Sequence, residues 1–264
     1  MNYGITRRHC GLIDFPVRSN DIVLQKSGHT ALTKLEQVGK IGVNFEDSQD
    51  FYGSYDEDDW YLSSGSRQLS IITQNVDALH KKAGSRHVTE LHGRNDRLIC
   101  MHCGSFSCRH DFHDELEALN DNWIDNAINM NKKDSFNGKM ESNMRPDGDG
   151  DVQVESYDDI IVPSCKNCGS GILKPHVVFF GDSVPKHRIQ RCHAAVKAAD
   201  GLLCIGSSLA VHSAYRFVNA AQLNETPIAI LNVGETRAEV NKLPVTKIEA
   251  PAAKILSSIV DIYQ

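Results

Sequence analysis

The chain has 264 residues, with 41% hydrophobic and 23% charged residues and a formal net charge of −6 at pH 7. Its length suffices for one substantial core with a small satellite domain, and its negative charge disfavours the broad basic surface of a nucleic-acid binder. Apolar runs stay far below the roughly 20 residues that span a bilayer, and residues 1–10 match neither a secretory signal nor a transit peptide. We therefore expect a soluble globular protein with neither a membrane nor a nucleic acid as a direct partner.

The sequence before residue 69 predicts one short helix and one long acidic insert. Residues 31–40 place Leu32, Leu35 and Val38 on one helical face. Residues 43–68 are rich in acidic residues and serine, which is typical of a solvated or disordered segment. A partner-binding role for the aromatic residues of this insert is the less favoured alternative.

From residue 69 onward the apolar pattern predicts alternating strands and helices, interrupted by one polar stretch. The predicted elements are strands over 69–73 and 177–180, a helix over 186–199, a strand over 201–205, a helix over 214–223, a strand over 228–233 and a helix over 252–262. Such alternation is typical of parallel βαβ units. We predict a Rossmann-like α/β domain over 1–95 and 171–264, with a small loop-rich module inserted at 96–170.

Two C-x-x-C pairs within this polar stretch predict a metal site. The pairs are Cys100/Cys103 and Cys165/Cys168, and each is followed by a glycine that relieves the backbone of a tight turn. Four thiolates favour one tetrahedral zinc ion with no open position, so we expect the ion to be structural. A redox pair or four unrelated cysteines are less favoured alternatives. Cys108 is near enough to be a spare ligand, but its spacing fits less well.

Polar residues follow three of the predicted strands, where ligands bind in α/β sheets. They are Gln74, Asn75, Val76 and Asp77; Gly206, Ser207 and Ser208; and Asn232, Val233 and Gly234. The near-neutral pKa of a histidine suits His92 to general base catalysis. Each signal is weak alone, because Asn and Asp are common turn formers, serine also caps helices and a lone histidine is more often structural.

The order of these segments resembles that of the sirtuins, the NAD-dependent protein deacylases. The match extends over TQNVDALHKKAGS (73–85), ELHG (90–93), both cysteine pairs, LKPHVVFFGDSVP (173–185), GSSLAV (206–211) and AILNVG (229–234). It covers roughly two thirds of the chain and is most similar to class II sirtuins of the mitochondrial lipoamidase and ADP-ribosyltransferase type. The resemblance implies a mitochondrial matrix protein, although the chain shows no targeting pattern.

The resemblance also implies a reaction and a role for each segment. An acyl group passes from lysine to ADP-ribose with release of nicotinamide, His92 acts as base, and ADP-ribosyl transfer is an associated activity. Residues 74–77 contact nicotinamide and ribose, whereas 206–208, 232–234 and Ala252 contact the phosphates and adenosine. The acyl-lysine peptide pairs by strand addition with Val178, Phe179, Phe180 and Gly181. A buried core strand is the alternative interpretation of this apolar run.

Two features depart from the sirtuin pattern. The Gly-Ala-Gly-x-Ser loop and the Ile-Pro-Asp-Phe/Tyr-Arg segment of the family do not occur in the sequence, and the 43–68 insert has no counterpart. We therefore expect a truncated or mis-spliced chain with little or no NAD-dependent activity by itself. The alternative function is a catalytically impaired sirtuin-like protein that binds zinc and a peptide.

Overall fold

The computed structural model describes residues 19–44, 68–121 and 159–262, so the predicted acidic insert lies almost wholly outside the described residues. One compact unit comprises Ser19–Arg94 and Val177–Gln264, and the other is built around Asn95–His176. The sequence predicts these divisions at 95/96 and 170/171. The elements in chain order are α1 (Ser19–Gln37), β1 (Val43–Asn44), β2 (Gln68–Leu69), β3 (Ile71–Thr73), α2 (Leu79–Lys82), β4 (Val88–Glu90), β5 (Gly93–Cys100), β6 (Phe106–Cys108), α3 (Arg109–Leu119), β7 (Leu173–Val177), α4 (Lys186–Ala198), β8 (Leu202–Ile205), α5 (His212–Leu223), β9 (Ile228–Leu231), α6 (Arg237–Val240), β10 (Val245–Ile248) and α7 (Ala252–Ile262).

Two sheets of the larger unit are parallel, as predicted for a Rossmann-like fold, whereas β1 and β2 form an antiparallel pair. β9 lies between β8 and β10 and is parallel to both, and β3 is parallel to β4. Parallel strands are buried on both faces, which explains the uninterrupted apolar run of β9. Ile230 of β9 is fully buried together with Leu91 and Val218, and these residues belong to one core cluster. The carboxyl ends of these strands carry the polar segments selected from the sequence.

Helix α1 is longer than the predicted helix over 31–40. It begins at Ser19 and ends at Gln37, where Gly39 takes a left-handed conformation and donates its N–H to the carbonyl of Glu36. Ala31 and Leu35 pack against α7, but Val38 lies beyond the helix end and is 53% exposed. The apolar periodicity therefore marks only the buried carboxyl-terminal half of the helix.

The smaller unit contains a three-stranded sheet in the order β6-β5-β7. Helix α3 follows β6 directly in the sequence. Arg97 on β5 lies 4.7 Å from the ring centroid of Phe106 and donates to His176 Nδ1 at 2.9 Å. Asn120, after α3, donates from Nδ2 to the carbonyl of Ile161 and accepts the Ile161 N–H. The polar composition of 96–170 predicts loops, whereas the structure has strands and a helix there. The sequence pattern does not reveal them, because side-chain hydrogen bonds hold these elements more than an apolar stripe does.

The strand predicted over 177–180 is wrong in its bounds. β7 spans Leu173–Val177, and the chain then turns between Phe179 and Asp182. The Asp182 N–H donates to the Phe179 carbonyl, an Asp182 carboxylate oxygen accepts the Phe179 N–H, and Gly181 has a φ of 91°. An apolar run alone does not reveal such a turn, which depends on Asp182. Across the described ranges, no helix combines the length and apolar character needed to span a bilayer.

Acid should destabilise the larger unit through His80 in α2. Its ring is buried with its centroid 4.4 Å from that of His29, and burial, followed by the charge of His29, lowers its pKa to about 4. The unfolded chain, with a pKa near 6.5, therefore binds more protons below pH 6.5, so stability falls as the pH drops toward 4.

We expect His80 to cost about 2 kcal/mol of unfolding free energy between pH 7 and pH 5. Denaturant unfolding at both pH values should show a shallower pH dependence for His80→Gln than for the wild type. His212→Gln, at an exposed histidine, is the matched control. Equal slopes for His80→Gln and the wild type would contradict the assignment.

Candidate functional site

Each C-x-x-C pair forms its own tight turn in the smaller unit, and the two turns have the same hydrogen-bond pattern. The N–H of Gly104 donates to the Cys100 carbonyl at 3.0 Å, and the N–H of Gly169 donates to the Cys165 carbonyl at 2.7 Å. Gly104 and Gly169 have φ values of 73° and 76°, in the left-handed region that glycine occupies without a steric penalty. The glycine after each pair therefore has the backbone role predicted from the sequence.

The four cysteine sulfurs are arranged for one zinc ion. All four lie within 4.8 Å of one another, with 3.7 Å between Cys100 and Cys168 and 3.8 Å between Cys103 and Cys165. Thiolates at the usual zinc–sulfur distance form a tetrahedron with edges of about 3.8 Å. These separations are also far beyond the roughly 2 Å of a disulfide. Within the described ranges, this metal-binding group leaves out Cys108.

Hydrogen bonds around the sulfurs of Cys103 and Cys165 favour the thiolate that zinc requires. Ser105 Oγ lies 3.0 Å from Cys103 Sγ and 3.3 Å from Cys165 Sγ, and Asn167 Nδ2 donates to Cys103 Sγ. The Ser105 hydroxyl, followed by Asn167, lowers the pKa of Cys103 to about 5. Such outer contacts orient ligands and tune the metal. Ser105 could not be predicted from the sequence, because a serine after such a turn is not by itself a sign of a metal site.

His92 lies after β4 in the larger unit and is held at both ring nitrogens. Nδ1 is 3.2 Å from the carbonyl oxygen of Gln74, and Nε2 is 2.7 Å from Ser213 Oγ. The Gln74 side chain donates from Nε2 to Ser207 Oγ at 3.1 Å. Three of the predicted segments therefore meet at one point, and Ser213, which the sequence analysis did not select, completes the contact.

The surroundings of His92 keep its ring neutral at pH 7. Burial lowers its pKa and the positive charge of Arg188 acts in the same direction, while the carbonyl of Gln74 opposes both. A carbonyl only accepts hydrogen bonds, so Nδ1 carries the proton and Nε2 keeps a free electron pair. His92 is therefore suited to accept a proton at Nε2.

Two buried residues with left-handed backbones follow the polar segments. Ala78 has a φ of 57° and Leu209 a φ of 58°. Asp77 Oδ1 accepts the N–H of Leu79 at 2.9 Å, and Ser207 Oγ accepts the N–H of Leu209 at 3.1 Å. Asp77 thus stabilises a turn, as the turn-former alternative predicts. Ser207 also stabilises a turn and does not cap a helix, since Val211 is the N-cap of α5 and α5 has no side-chain capping hydrogen bond. The same turns direct Asn75, Gly206 and Ser208 to the surface, where all three are exposed.

The segments 206–208 and 232–234, both predicted to contact the phosphates and adenosine, adjoin each other. Gly206 N–H donates to the Leu231 carbonyl at 3.0 Å, which links the ends of β8 and β9. Asn232 Nδ2 donates to the carbonyls of Val233 and Gly234, and Lys247 Nζ donates to the Gly234 carbonyl at 2.8 Å. Gly206 and Gly234 both have positive φ and open space where a Cβ would lie, so backbone there is accessible to a phosphate or ribose.

The remaining predicted contacts lie at two other places in the larger unit. Ala252 begins α7 and packs against the cluster that contains Leu231. The N–H of Val178 donates to the carbonyl of His92 at 2.9 Å, so the segment Val178–Gly181 starts beside the histidine. Phe180 within this segment is fully exposed, at 101%. This exposure argues against the buried-strand alternative for the segment.

Comparison with known proteins identifies the relatives of this chain. The Sir2 family model matches residues 60–213. An NAD-dependent protein deacetylase of Bordetella bronchiseptica is 40% identical over 190 residues, which are 72% of this chain and 63% of the relative. The human NAD-dependent protein lipoamidase sirtuin-4, mitochondrial, is 43% identical over 183 residues, which are 68% of this chain and 54% of the relative.

Solved structures share the fold. A structure titled "Sir2-p53 peptide-NAD+" matches with a TM-score of 0.57 and 22% identity, covering 90% of this chain and 69% of that one. A structure titled "Sir2 bound to acetylated peptide" gives the same TM-score and identity, covering 90% and 70%. These matches support the predicted Rossmann-like fold. The chain spans 54–63% of the length of the curated relatives named above.

Gly171 should be indispensable for zinc binding. A Cβ added there would lie 2.1 Å from Cys100 Sγ and 2.9 Å from Cys168 Sγ, and Gly171 has no positive φ that would oppose alanine for another reason. We expect Gly171→Ala to reduce bound zinc from about one ion per chain to well below half, as measured by elemental analysis.

Two control variants give the expected upper and lower limits of zinc content. Cys168→Ser removes a ligand outright and gives the reference for zinc loss. Gly201→Ala introduces only an ordinary contact of 3.7 Å with the Pro227 carbonyl and should keep its zinc. Full zinc occupancy in Gly171→Ala would show that the sulfurs do not enclose the ion at this position.

Proposed function

The chain belongs to the Sir2 family, and on that premise we propose that it carries the site of an NAD-dependent protein-lysine deacylase. The observation that carries the proposal is the junction at Gln74. Its carbonyl binds the ring of His92 and its side chain binds Ser207, so the proposed base and the proposed phosphate segment share one residue. Relatives named for NAD-dependent deacetylation support the same activity.

The residues present fit NAD at the carboxyl ends of β3, β8 and β9. NAD would supply the ribose carbon that accepts the acyl oxygen as nicotinamide leaves. We assign the nicotinamide and ribose contacts to residues 74–77. We assign the phosphate and adenosine contacts to 206–208, 232–234 and Ala252. The first two segments lie at strand ends and have exposed polar groups, and no other atom lies where a Cβ of Gly206 or Gly234 would be.

His92 would act as general base in this site. Its neutral ring receives a proton at Nε2 from a ribose hydroxyl, and the Gln74 carbonyl stabilises the resulting imidazolium through Nδ1–H. A pKa below the ordinary value keeps the ring unprotonated at pH 7. Activity should therefore be retained at neutral pH and lost only at a lower pH than an ordinary histidine base would require.

The acyl-lysine peptide is proposed to pair with Val178, Phe179, Phe180 and Gly181. Val178 is bonded to the carbonyl of His92, so a peptide along this segment would bring its lysine near the base. The turn at Phe179–Asp182 would have to open for a full strand to add. A Sir2 structure titled as bound to an acetylated peptide supports a peptide as substrate.

Three finer assignments stay predictions within this proposal. One structural zinc ion would hold the smaller unit without taking part in bond-making. ADP-ribosyl transfer would use the same site, with a protein nucleophile in place of the acyl oxygen. A mitochondrial location is supported by the name of the human relative, while the Bordetella relative is bacterial.

Release of nicotinamide tests the proposal directly. The zinc-loaded chain is incubated with radiolabelled NAD and an acetyl-lysine peptide, and we expect labelled nicotinamide to be released. His92→Ala should lower that release by at least about 100-fold. His212→Ala, at an exposed histidine, is the control and should match the wild type.

Calorimetry separates binding from turnover. We expect the chain to bind NAD and Asn75→Ala to weaken that binding, since Asn75 is the exposed amide of the proposed ribose segment. Absence of NAD binding would refute the deacylase site and favour the impaired zinc- and peptide-binding alternative. Equal nicotinamide release by His92→Ala and the wild type would refute only the assignment of His92 as the base.

A further inference from the structure

Ser213 contacts the ring nitrogen on which the proposed reaction depends. Its Oγ is 2.7 Å from His92 Nε2, although the two residues are 121 positions apart in the chain. Because the Gln74 carbonyl requires the proton on Nδ1, the neutral ring has only an electron pair to offer at Nε2. The Ser213 hydroxyl must therefore donate its proton to Nε2, which leaves both edges of the ring fixed.

The helix that carries Ser213 is anchored in the core. Ser213 is the second residue of α5, and the next two residues, Ala214 and Tyr215, are buried. The N–H of Tyr215 donates to the Val211 carbonyl, and the Tyr215 hydroxyl accepts a hydrogen bond from Asn241 Nδ2 at 2.7 Å. The backbone at Ser213 is thus fixed by packing, and the hydroxyl is positioned by rotation about the Cα–Cβ bond and by its contact with His92 Nε2.

We propose that Ser213 is a positioning residue for His92. Its hydroxyl donates to Nε2 while the ring is neutral. When a ribose hydroxyl approaches, the Ser213 proton rotates away, the ribose O–H bond breaks, and its proton forms the new Nε2–H bond with the Nε2 electron pair. The electron pair of the broken bond stays on the ribose oxygen, which becomes the nucleophile. Ser213 Oγ can then accept this N–H, so the ring keeps its orientation in both protonation states. The inference rests on the proposed function for the source of the proton.

The electrostatics of the ring agree with this arrangement. A donor aimed at Nε2 favours the neutral imidazole, as burial and the charge of Arg188 on α4 also do. The Gln74 carbonyl favours the charged form. Removing the Ser213 hydroxyl should therefore make the ring easier to protonate and, at the same time, free to rotate about its Nδ1 contact.

Nitrogen-15 NMR of the histidine rings of the full chain tests the inference without requiring turnover. The His92 signals are identified by their absence from His92→Gln. We expect a wild-type ring protonated at Nδ1 at pH 7.5, and a pKa that is higher by about 0.7 unit in Ser213→Ala. Ser213→Thr keeps a hydroxyl and should keep the wild-type pKa, and Ser258→Ala, at an exposed serine of α7, is the matched control.

Nicotinamide release provides the second readout. We expect Ser213→Ala to lose about tenfold at pH 7.5 and Ser213→Thr to recover most of the loss. An unchanged pKa of His92 in Ser213→Ala would overturn the inference, and so would release at the wild-type rate. If no form of the chain releases nicotinamide, the proposed function fails while the ring measurements still decide the role of Ser213.

Discussion

The carbonyl of Gln74 is the constraint on which the larger unit's site depends. A carbonyl accepts hydrogen bonds and never donates them, so one contact of 3.2 Å decides which nitrogen of His92 carries the proton. The same residue fixes Ser207 through its side chain. The position of Gln74 follows from β3, whose Thr73 carbonyl accepts the N–H of Leu91, next to His92. The backbone pairing that positions Gln74 beside His92 thus determines which ring nitrogen of His92 carries the proton.

The smaller unit depends on a different constraint, which is the close approach of the Gly171 backbone to the sulfurs of Cys100 and Cys168. Two matching turns bring the four sulfurs to the spacing of a zinc tetrahedron, and Gly171 leaves no room for a side chain beside Cys100. Because α3 buries none of its side chains, a bound zinc ion would supply folding free energy that so small a core cannot. Four cysteine ligands would leave no coordination position for a substrate, so the ion would stabilise the fold and take no part in the reaction.

Local chemistry made much of this structure predictable. The cysteine ligands follow from spacing and glycine, and the helix over 252–262 and the strands β8 and β9 follow from apolar periodicity. Strand 177–180 was misplaced because an apolar run resembles a strand even where Asp182 closes a turn. Ser213 could not be predicted, since its contact with His92 joins residues 121 positions apart. Ser105 was missed for a related reason: its hydroxyl matters only after the two turns are brought together.

A crystal structure of the zinc-loaded chain with NAD and an acyl-lysine peptide would show whether His92 is placed to act as the base. We predict that His92 Nδ1 keeps its contact with the Gln74 carbonyl while Nε2 faces a hydroxyl of the nicotinamide ribose. Ribose density remote from His92, or a ring flipped so that Nδ1 faces the ribose, would contradict it.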